Sequence, residues 1–447
     1  MGKTTNKDIL AKILSQAKSM GADEAEAVFY EADGISVTVR LGKLETVERP
    51  AEKALGLRVY CGKRTTSLST SDLSPTALSE LAEKAVMIAK QSPENPFAEL
   101  AGENLFAGDY NQNLEINDAT SPEAKTLKEM ALGAEGAGRA VKGITNSEGG
   151  SAGWKKSKKT HLTSRGFEGE NASSSFSCYT VLLAGEGTRM ERDYEFSSAR
   201  FFEDLDNPEG IGRKAAKRTL KRLNPRKIKS QSVPIIFHRR TSNSLLNHFA
   251  SAINGKPVAK GTTFLSTEMG NQIFSNNIKI IDDPTRKRGL SSKPFDGEGL
   301  KMERLNLVQD GVLKNWLLDI ASGKEMNLTS NGRASRSLAG ATNPSSSNLY
   351  MENGKRSLKE MMANVGEGLL VTEMIGMGVN GVTGDYSRGA TGFWFENGEI
   401  AYPVSEITIA GNLKDMFATL EPASDLKFKQ GTDAPSILIP SMVVAGT

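Results

Sequence analysis

The chain has 447 residues, with 56 Lys and Arg against 53 Asp and Glu, a net charge of +3. This near balance argues against a strongly basic binder of nucleic acid or membranes, and the length suggests two or three domains. Only two cysteines, Cys61 and Cys178, are present, which excludes a disulfide framework and a cysteine-rich zinc module. The first eight residues contain no apolar stretch, so we expect no secretory signal and a cytoplasmic location.

The N-terminal quarter predicts two helices that flank a run of strands. Apolar residues at helical spacing predict a helix over residues 5–20, and Ser74-Pro75 opens a second helix that extends to about residue 90. Between them, alternation of apolar and polar residues predicts strands over 35–41 and 57–61.

Residues 147–205 return to strand, and the apolar run 181–183 predicts a strand that is buried on both faces. Asn207-Pro208 opens a helix that ends near residue 223, and a charged linker over 226–231 follows it. We therefore predict an N-terminal α+β domain over residues 1–228, with a mixed sheet and flanking helices.

The remaining chain, residues 229–447, predicts a β-rich domain with an antiparallel, barrel-like sheet. Short apolar runs are separated by Gly, Asn and Pro, as is typical of such sheets. Helices are predicted at about 242–253, 357–365 and 413–420. The fold class is accordingly α+β.

Two glycine motifs match known patterns but lack the surroundings that those patterns need. Residues 149–153 match G-x-S-x-G, yet the lysine-rich stretch that follows is a poor helix, so a nucleophile elbow is rejected. Residues 376–381 match G-x-G-x-x-G, but further glycines prevent the helix that a dinucleotide site requires. The second motif is therefore interpreted as a glycine-rich loop.

Two charged features leave alternatives open. Asp296 and Glu298 are two residues apart, so they could share a metal or act as acid and base, but the flanking glycines equally indicate a turn. The basic stretch 213–229 could bind nucleic acid, although a solvated helix face explains it as well and no aromatic residues alternate with its cations.

Several segments, in this order, resemble the TldD/TldE (PmbA) family of metallopeptidase-related proteins. The N-terminal half is similar through residues 56–62 and 69–70. The stronger resemblance is carried by residues 276–284, 295–299, 329–332, 376–380 with 384–387, 407–412 and 435–446. The resemblance covers some 400 residues.

TldD-like members carry H-E-x-x-x-H on a helix, with zinc on the histidines and a glutamate that activates water, and a C-terminal cysteine. In this chain the corresponding positions hold Asn247, His248 and Ala252, and no cysteine follows Cys178. The resemblance therefore implies the TldE/PmbA branch, with no catalytic residue and no metal or other cofactor in this chain.

The same resemblance implies a zinc-bearing TldD-like paralogue as partner in a heterodimer that cleaves unfolded or flexible peptides. The isolated chain could form a homodimer, and neither membrane nor nucleic acid is expected as a partner. We hypothesise that the glycine loop and the acidic pair face a peptide channel, although the glycines could equally serve only tight turns. The candidate channel residues are Gly376, Gly378, Asn380, Gly381, Gly384, Asp296 and Glu298.

Overall fold

The computed structural model describes residues 5–108 and 113–446. Residues 1–4, which begin the stretch where no secretory signal is expected, lie outside the described residues. Within residues 5–108 and 113–446, no helix has the length and apolar character needed to cross a bilayer. The α-helices in chain order are α1 (Asn6–Ser19), α2 (Pro75–Gln91), α3 (Ala124–Arg139), α4 (Pro208–Lys221), α5 (Asn243–Ala252), α6 (Gly255–Ala259), α7 (Ile320–Glu325), α8 (Leu358–Val365) and α9 (Leu413–Thr419).

The strands form one large sheet in the N-terminal half and smaller sheets in the C-terminal half. In chain order they are β1 (Glu24–Arg40), β2 (Lys43–Glu48), β3 (Ala51–Cys61), β4 (Arg64–Thr70), β5 (Ile144–Thr163), β6 (Glu168–Ala184), β7 (Glu191–Ala199), β8 (Gln231–Phe237), β9 (Ile280–Asp282), β10 (Leu305–Gln309), β11 (Val312–Leu313), β12 (Ala334–Ser335), β13 (Asn343–Pro344), β14 (Leu349–Met351), β15 (Gly368–Ile375), β16 (Asp385–Glu396), β17 (Glu399–Asn412), β18 (Glu421–Pro422), β19 (Thr432–Asp433) and β20 (Ile437–Ala445).

The N-terminal sheet has the strand order β4-β3-β1-β5-β6-β7, with β2 also paired to β1. Every pair in it is antiparallel, so the expected mixed sheet is wrong in this detail. Hairpin connections explain the pairs β1–β2, β3–β4, β5–β6 and β6–β7, because consecutive strands joined by short connections pair antiparallel. Parallel pairs occur instead in the C-terminal half, between β8 and β15 and between β14 and β19.

The four helices of the N-terminal half cover one face of this sheet. On β1, Ala27 and Phe29 pack with α1 and α2, and Val37 and Val39 pack with α3 and α4. Because side chains alternate along a strand, the even-numbered residues of β1, beginning with Glu26, point to the opposite face. That opposite face meets the C-terminal half and carries the site described below.

In the C-terminal half, β17-β16-β15-β8-β20 follow one another and β17 pairs again with β20, which closes the sheet into a barrel-like ring. The predicted α+β class and the barrel-like C-terminal sheet are confirmed. Helix α5 packs Leu245, Leu246 and Phe249 into the large apolar core of this half. Closure leaves the ring strands without free backbone edges over their paired residues.

Most of the predicted elements are present, with two instructive differences. Helix α3 was not predicted, because Gly133, Gly136 and Gly138 lower its intrinsic helix propensity. The run 181–183 is buried only at Leu182, so β6 alternates between two environments. Residues 149–153 lie inside β5 and the 376–381 motif is a loop, in agreement with the rejection of both motifs.

The chain passes from the first sheet to the others between α4 and β8, the stretch in which the sequence predicts a boundary at residues 228/229. Ile228 is buried there, while Lys227 and Lys229 on either side are exposed. The backbone N–H of Arg226 donates to the carbonyl of Pro403 at 2.8 Å, so the linker is attached to β17. The division into domains at residues 228/229 stays a prediction.

The glycines of α3 and α4 generate a stability prediction. A Cβ on Gly212 would lie 1.9 Å from the carbonyl oxygen of Ala134, whereas a Cβ on Gly136 would meet nothing within 4 Å. Gly212→Ala should therefore lower the free energy of unfolding by about 2 kcal/mol or more through overpacking. Gly136→Ala, the matched control, should raise it by about 0.5–1 kcal/mol because alanine favours helix. Urea denaturation of both variants checks this, and equal effects would show that α3 and α4 do not touch at Gly212.

Candidate functional site

Helix α5 carries Asn247, His248 and Ala252, the three positions that the resemblance sets against the zinc motif of TldD-like members. Its buried stripe of Leu245, Leu246, Phe249 and Ala252 follows helical spacing, so the helix has a fixed orientation in the core. Asn247 lies on the exposed face as a result, and Ala252 is buried. His248 lies between these two faces and is half-buried.

The imidazole of His248 is held by aromatic packing. Its ring contacts that of Tyr386 edge to face, with centroids 5.9 Å apart, and its buried Nε2 has no hydrogen-bond partner in the described part of the chain. Burial lowers the pKa of His248, and the positive charge of Arg388 lowers it further. The ring is therefore neutral at pH 7 and could offer one nitrogen lone pair to a metal ion.

These residues do not fit a zinc ion. Asn247 offers a neutral amide and Ala252 no donor at all, while a structural or catalytic zinc site requires three or four protein ligands. Cys61 and Cys178 lie on strands of the N-terminal sheet. Across residues 5–108 and 113–446, no group of three or more His, Cys, Asp or Glu side chains is placed to hold a metal.

The loop between β15 and β16 lies beside α5. The link is Met374, whose sulfur is 3.7 Å from the hydroxyl of Ser244 and 3.6 Å from that of Tyr386. Three apolar side chains at the loop are exposed: Ile375 at 61%, Met377 at 91% and Val382 at 59%. We call these three residues the apolar loop.

The candidate channel residues of this loop are four glycines and Asn380. Most of them determine the conformation of the loop. Gly376 and Gly384 have positive φ angles of 80° and 85°, and a Cβ on Gly378 would lie 2.0 Å from the carbonyl oxygen of Ser387. The side chain of Asn380 accepts from the backbone N–H of Val382 at 2.9 Å. Turn geometry therefore explains all of them except Gly381, where a Cβ would meet nothing within 4 Å.

A second site lies between the N-terminal sheet and the C-terminal half. It is a cavity of about 280 Å³, which we call the interface cavity. Strands β1 and β5 supply one wall, and residues 293–297 and 334–338 supply the other. Asp296 lines this cavity. Its hydrogen bonds in the described residues are made to Glu298, Leu300 and Ala334, and none of them reaches helix α5.

Asp296 and Glu298 hold the backbone at this wall in place through hydrogen bonds. Asp296 accepts from the backbone N–H groups of Glu298, Leu300 and Ala334 at 2.8–2.9 Å. Glu298 accepts from the N–H of Ile320 at 2.9 Å. Burial raises the pKa of both carboxyl groups, and the charge of Asp296 raises that of Glu298 further. Their oxygens are used to hold the turn, which favours the turn interpretation over a metal or acid–base role.

Beneath the cavity, Glu26 joins both halves of the protein. It is 1% exposed, and its carboxylate contacts Arg58 at 3.1 Å, His161 at 3.0 Å and Arg336 at 2.5 Å. Burial raises the pKa of Glu26, but Arg336, the hydrogen bond with His161 and Arg58 together bring it well below its usual value. We call these four residues the Glu26 cluster.

The sequence did not reveal the Glu26 cluster because its members come from four distant segments. One signal was present: Glu26 and Arg58 each lie within an apolar stretch of their strand, residues 25–30 and 54–61, which indicates a buried ion pair. No local pattern marks Arg336.

The basic segment 213–229 is only partly available to a ligand. Arg218 contacts Glu195 at 2.5 Å, and Arg222 contacts Glu191, Asp193 and Glu373. Lys214 and Arg218 line a separate cavity of about 340 Å³, together with Arg239, Arg240, Lys427, Lys429 and the aromatic rings of Tyr194 and Phe196. The two rings stack with centroids 6.3 Å apart, an arrangement that the spacing of the sequence did not predict.

Comparison with known families places the chain. Models of the PmbA/TldA metallopeptidase match in three parts: domain 1 at residues 25–89, the central domain at 117–223 and the C-terminal domain at 230–446. The chain belongs to the PmbA/TldD metallopeptidase family. Metalloprotease PmbA from Escherichia coli O157:H7 is 38% identical over 97% of this chain and 96% of its own length.

Solved structures of family members share the fold. A protein of Bacteroides thetaiotaomicron, described as a candidate modulator of DNA gyrase, superposes with a TM-score of 0.90 at 27% identity and covers 100% of both chains. TldE from Thermococcus kodakarensis superposes with a TM-score of 0.87 over 98% of this chain and 100% of its own, and at 22% identity it supports the fold alone.

The Glu26 cluster generates a second stability prediction. Glu26→Gln leaves two buried guanidinium groups without a countercharge, so the free energy of unfolding should fall by about 3–5 kcal/mol. Glu31→Gln is the matched control on the same strand, because Glu31 pairs with the exposed Lys53 and should cost less than about 1 kcal/mol. Thermal and urea unfolding measure both, and a small loss in Glu26→Gln would show that the cluster does not join the two halves.

Proposed function

We propose that this chain is the non-catalytic, TldE-type subunit of a cytoplasmic peptidase pair. In this proposal a zinc-bearing TldD-type relative cleaves unfolded or flexible peptides, and this chain shapes the channel that holds them. The observation that carries the proposal is helix α5, which presents Asn247, His248 and Ala252 at the positions that the resemblance sets against the family's zinc motif. Membership of a family named for metallopeptidases supports the reaction class.

The apolar loop supports a partner at this position. Ile375, Met377 and Val382 are exposed on the loop that follows Met374, which contacts Ser244 of α5, and water contact of apolar surface costs free energy. A partner that covers Met377 would recover part of that cost, on the order of 1.5–3 kcal/mol for one fully buried methionine. The proposed partner surface therefore lies beside the helix that carries the motif positions.

The closed sheet of the C-terminal half changes how such a channel would hold a peptide. Strands β8, β15, β16, β17 and β20 each pair with two neighbours in the ring. The linker at Arg226 bridges to Val404 in the stretch of β17 that β20 does not reach, so little open edge is left for strand addition. We propose that side chains and the loop around Gly381, rather than an open strand edge, contribute the wall.

Mixing experiments test the proposal. The substrate is an unstructured peptide with a fluorophore and a quencher, and the chain is assayed alone and with its TldD-type relative. This chain alone should not cleave, and the mixture should cleave. Met377→Asp should slow cleavage by the mixture about tenfold or more, since a carboxylate would be buried in an apolar contact.

Met87→Asp is the matched control, because Met87 is 54% exposed on α2, away from the loop. It should leave the rate of the mixture unchanged. Cleavage by this chain alone at the rate of the mixture, or equal effects of the two methionine variants, would contradict the proposal.

The basic segment 213–229 and the cavity beside it support a second candidate, a nucleic-acid-associated regulator. The observation in its favour is the stacked pair Tyr194 and Phe196 among cations of α4 and of residues 239–240 and 427–429. The two candidates differ in their response to salt. Phosphate binding should weaken steeply as salt rises, whereas an apolar contact with a protein partner should not.

A further inference from the structure

The interface cavity gathers positive charge from three separate segments. Lys159 reaches it from β5, Lys293 from the segment after β9, and Arg336 from the segment after β12. Like charges brought together away from bulk water repel one another, so such a cluster is stable only with countercharges or with a bound anion. The countercharges present identify which of these cations are already neutralised.

Arg336 is buried and only partly satisfied. Its side chain is 4% exposed, and Nη1 contacts the carboxylate of Glu26, but Nε and Nη2 have no hydrogen-bond acceptor in the described residues. Glu26 is shared with Arg58, so one carboxylate faces two guanidinium groups. Glu298 also lies near both guanidinium groups, but burial raises the pKa of its carboxyl group, so Glu26 is the carboxylate that mainly balances the two cations.

The two lysines are less neutralised still. Neither ammonium lies within 4 Å of a carboxylate in the ion pairs of the described residues, and Lys159 is exposed at the cavity mouth. Burial lowers the pKa of Lys159, and the charges of Lys293 and Arg336 lower it further. Asp282 and Asp296 both act on Lys293. Asp282 already pairs with Arg333, and the oxygens of Asp296 already accept three backbone N–H groups.

The rest of the lining indicates what kind of anion fits. Val28, Tyr30, Phe295 and Leu338 provide apolar surface beside the cations, and Asn171 adds an amide. A volume of about 280 Å³ is small for a ligand pocket and suits the end of a larger molecule. Glu52, which is exposed, also lines the cavity and would repel a polyanion.

We propose that the interface cavity binds the terminal carboxylate of a peptide, with the apolar side chain of its last residue against Phe295 and Leu338. Lys159 and Lys293 contact the carboxylate, and Arg336 contributes its charge from beneath. The identity of the ligand as a peptide rests on the proposed function. The site would give this chain a preference for free carboxyl ends, away from the motif positions of α5.

Calorimetric titration of the full chain, without any partner, tests the proposal. The probes are N-acetyl-alanyl-leucine, its C-terminal amide, N-acetyl-aspartyl-leucine amide and inorganic phosphate. The free acid should bind at least about tenfold more tightly than each of the other three, because only it combines a terminal carboxylate with the apolar side chain.

Lys159→Gln and Lys293→Gln should each weaken binding of the free acid about fivefold or more without changing the weak binding of the amide. Lys158→Gln is the matched control, since Lys158 lies on the other face of β5 and pairs with Glu170 at 3.1 Å. Two variants are used so that one poorly folded protein, detected by thermal unfolding, leaves the test intact.

Equal binding of acid and amide, or binding of neither, would overturn the proposal. Equally tight binding of the aspartyl amide would assign the site to acidic side chains, and equally tight binding of phosphate would assign it to small anions, so both would also overturn it. The titration measures no cleavage, so its result can be judged separately from the proposed function. If the free acid binds but the mixture of the two proteins does not cleave peptides, only the proposed function is contradicted.

Discussion

The buried carboxylate of Glu26 is the most deeply buried of the ion-paired carboxylates that join the two halves in the described residues. It lies on the face of the N-terminal sheet that the helices leave uncovered, and it meets Arg58 and His161 of that sheet and Arg336 of the C-terminal half. Taking charges out of water is costly, so such a cluster forms only when all members are in place. The same cluster fixes one wall of the interface cavity.

The C-terminal half has the fold of its family and holds Asn247, His248 and Ala252 on helix α5. Its ring of strands and the apolar stripe of α5 hold that helix in a defined orientation, because Leu245, Leu246 and Phe249 anchor it in the core. The positions that it presents can pack and bind but cannot hold zinc. In the proposed pair, metal chemistry belongs to the relative, and binding and positioning belong to this chain.

Local rules predicted the elements that are marked by local chemistry. Helices α1 and α2 begin where Thr5 and Ser74 cap them, and the glycine motif at 376–381 is the loop that its composition indicates. Helix α3 was missed because its glycines are unfavourable in isolation and become favourable only where Gly138 and Gly212 let two helices approach.

The candidate site was predicted only in part, because contacts between distant segments leave no local pattern in the sequence. The zinc-motif positions could be placed from the resemblance, and the structure puts them on α5. The Glu26 cluster and the cations of the interface cavity could not, because they come from strands and loops that are distant in the chain and meet only in the fold. The turn role of Asp296 required knowing that the N–H of Ala334 is its third donor.

The division of labour between the two subunits is the central claim, and metal analysis tests it most directly. Mass spectrometry should find no stoichiometric zinc in the purified chain and one zinc per pair in the complex with the TldD-type relative. One tightly held zinc per molecule of this chain, retained after treatment with a chelator, would contradict the account.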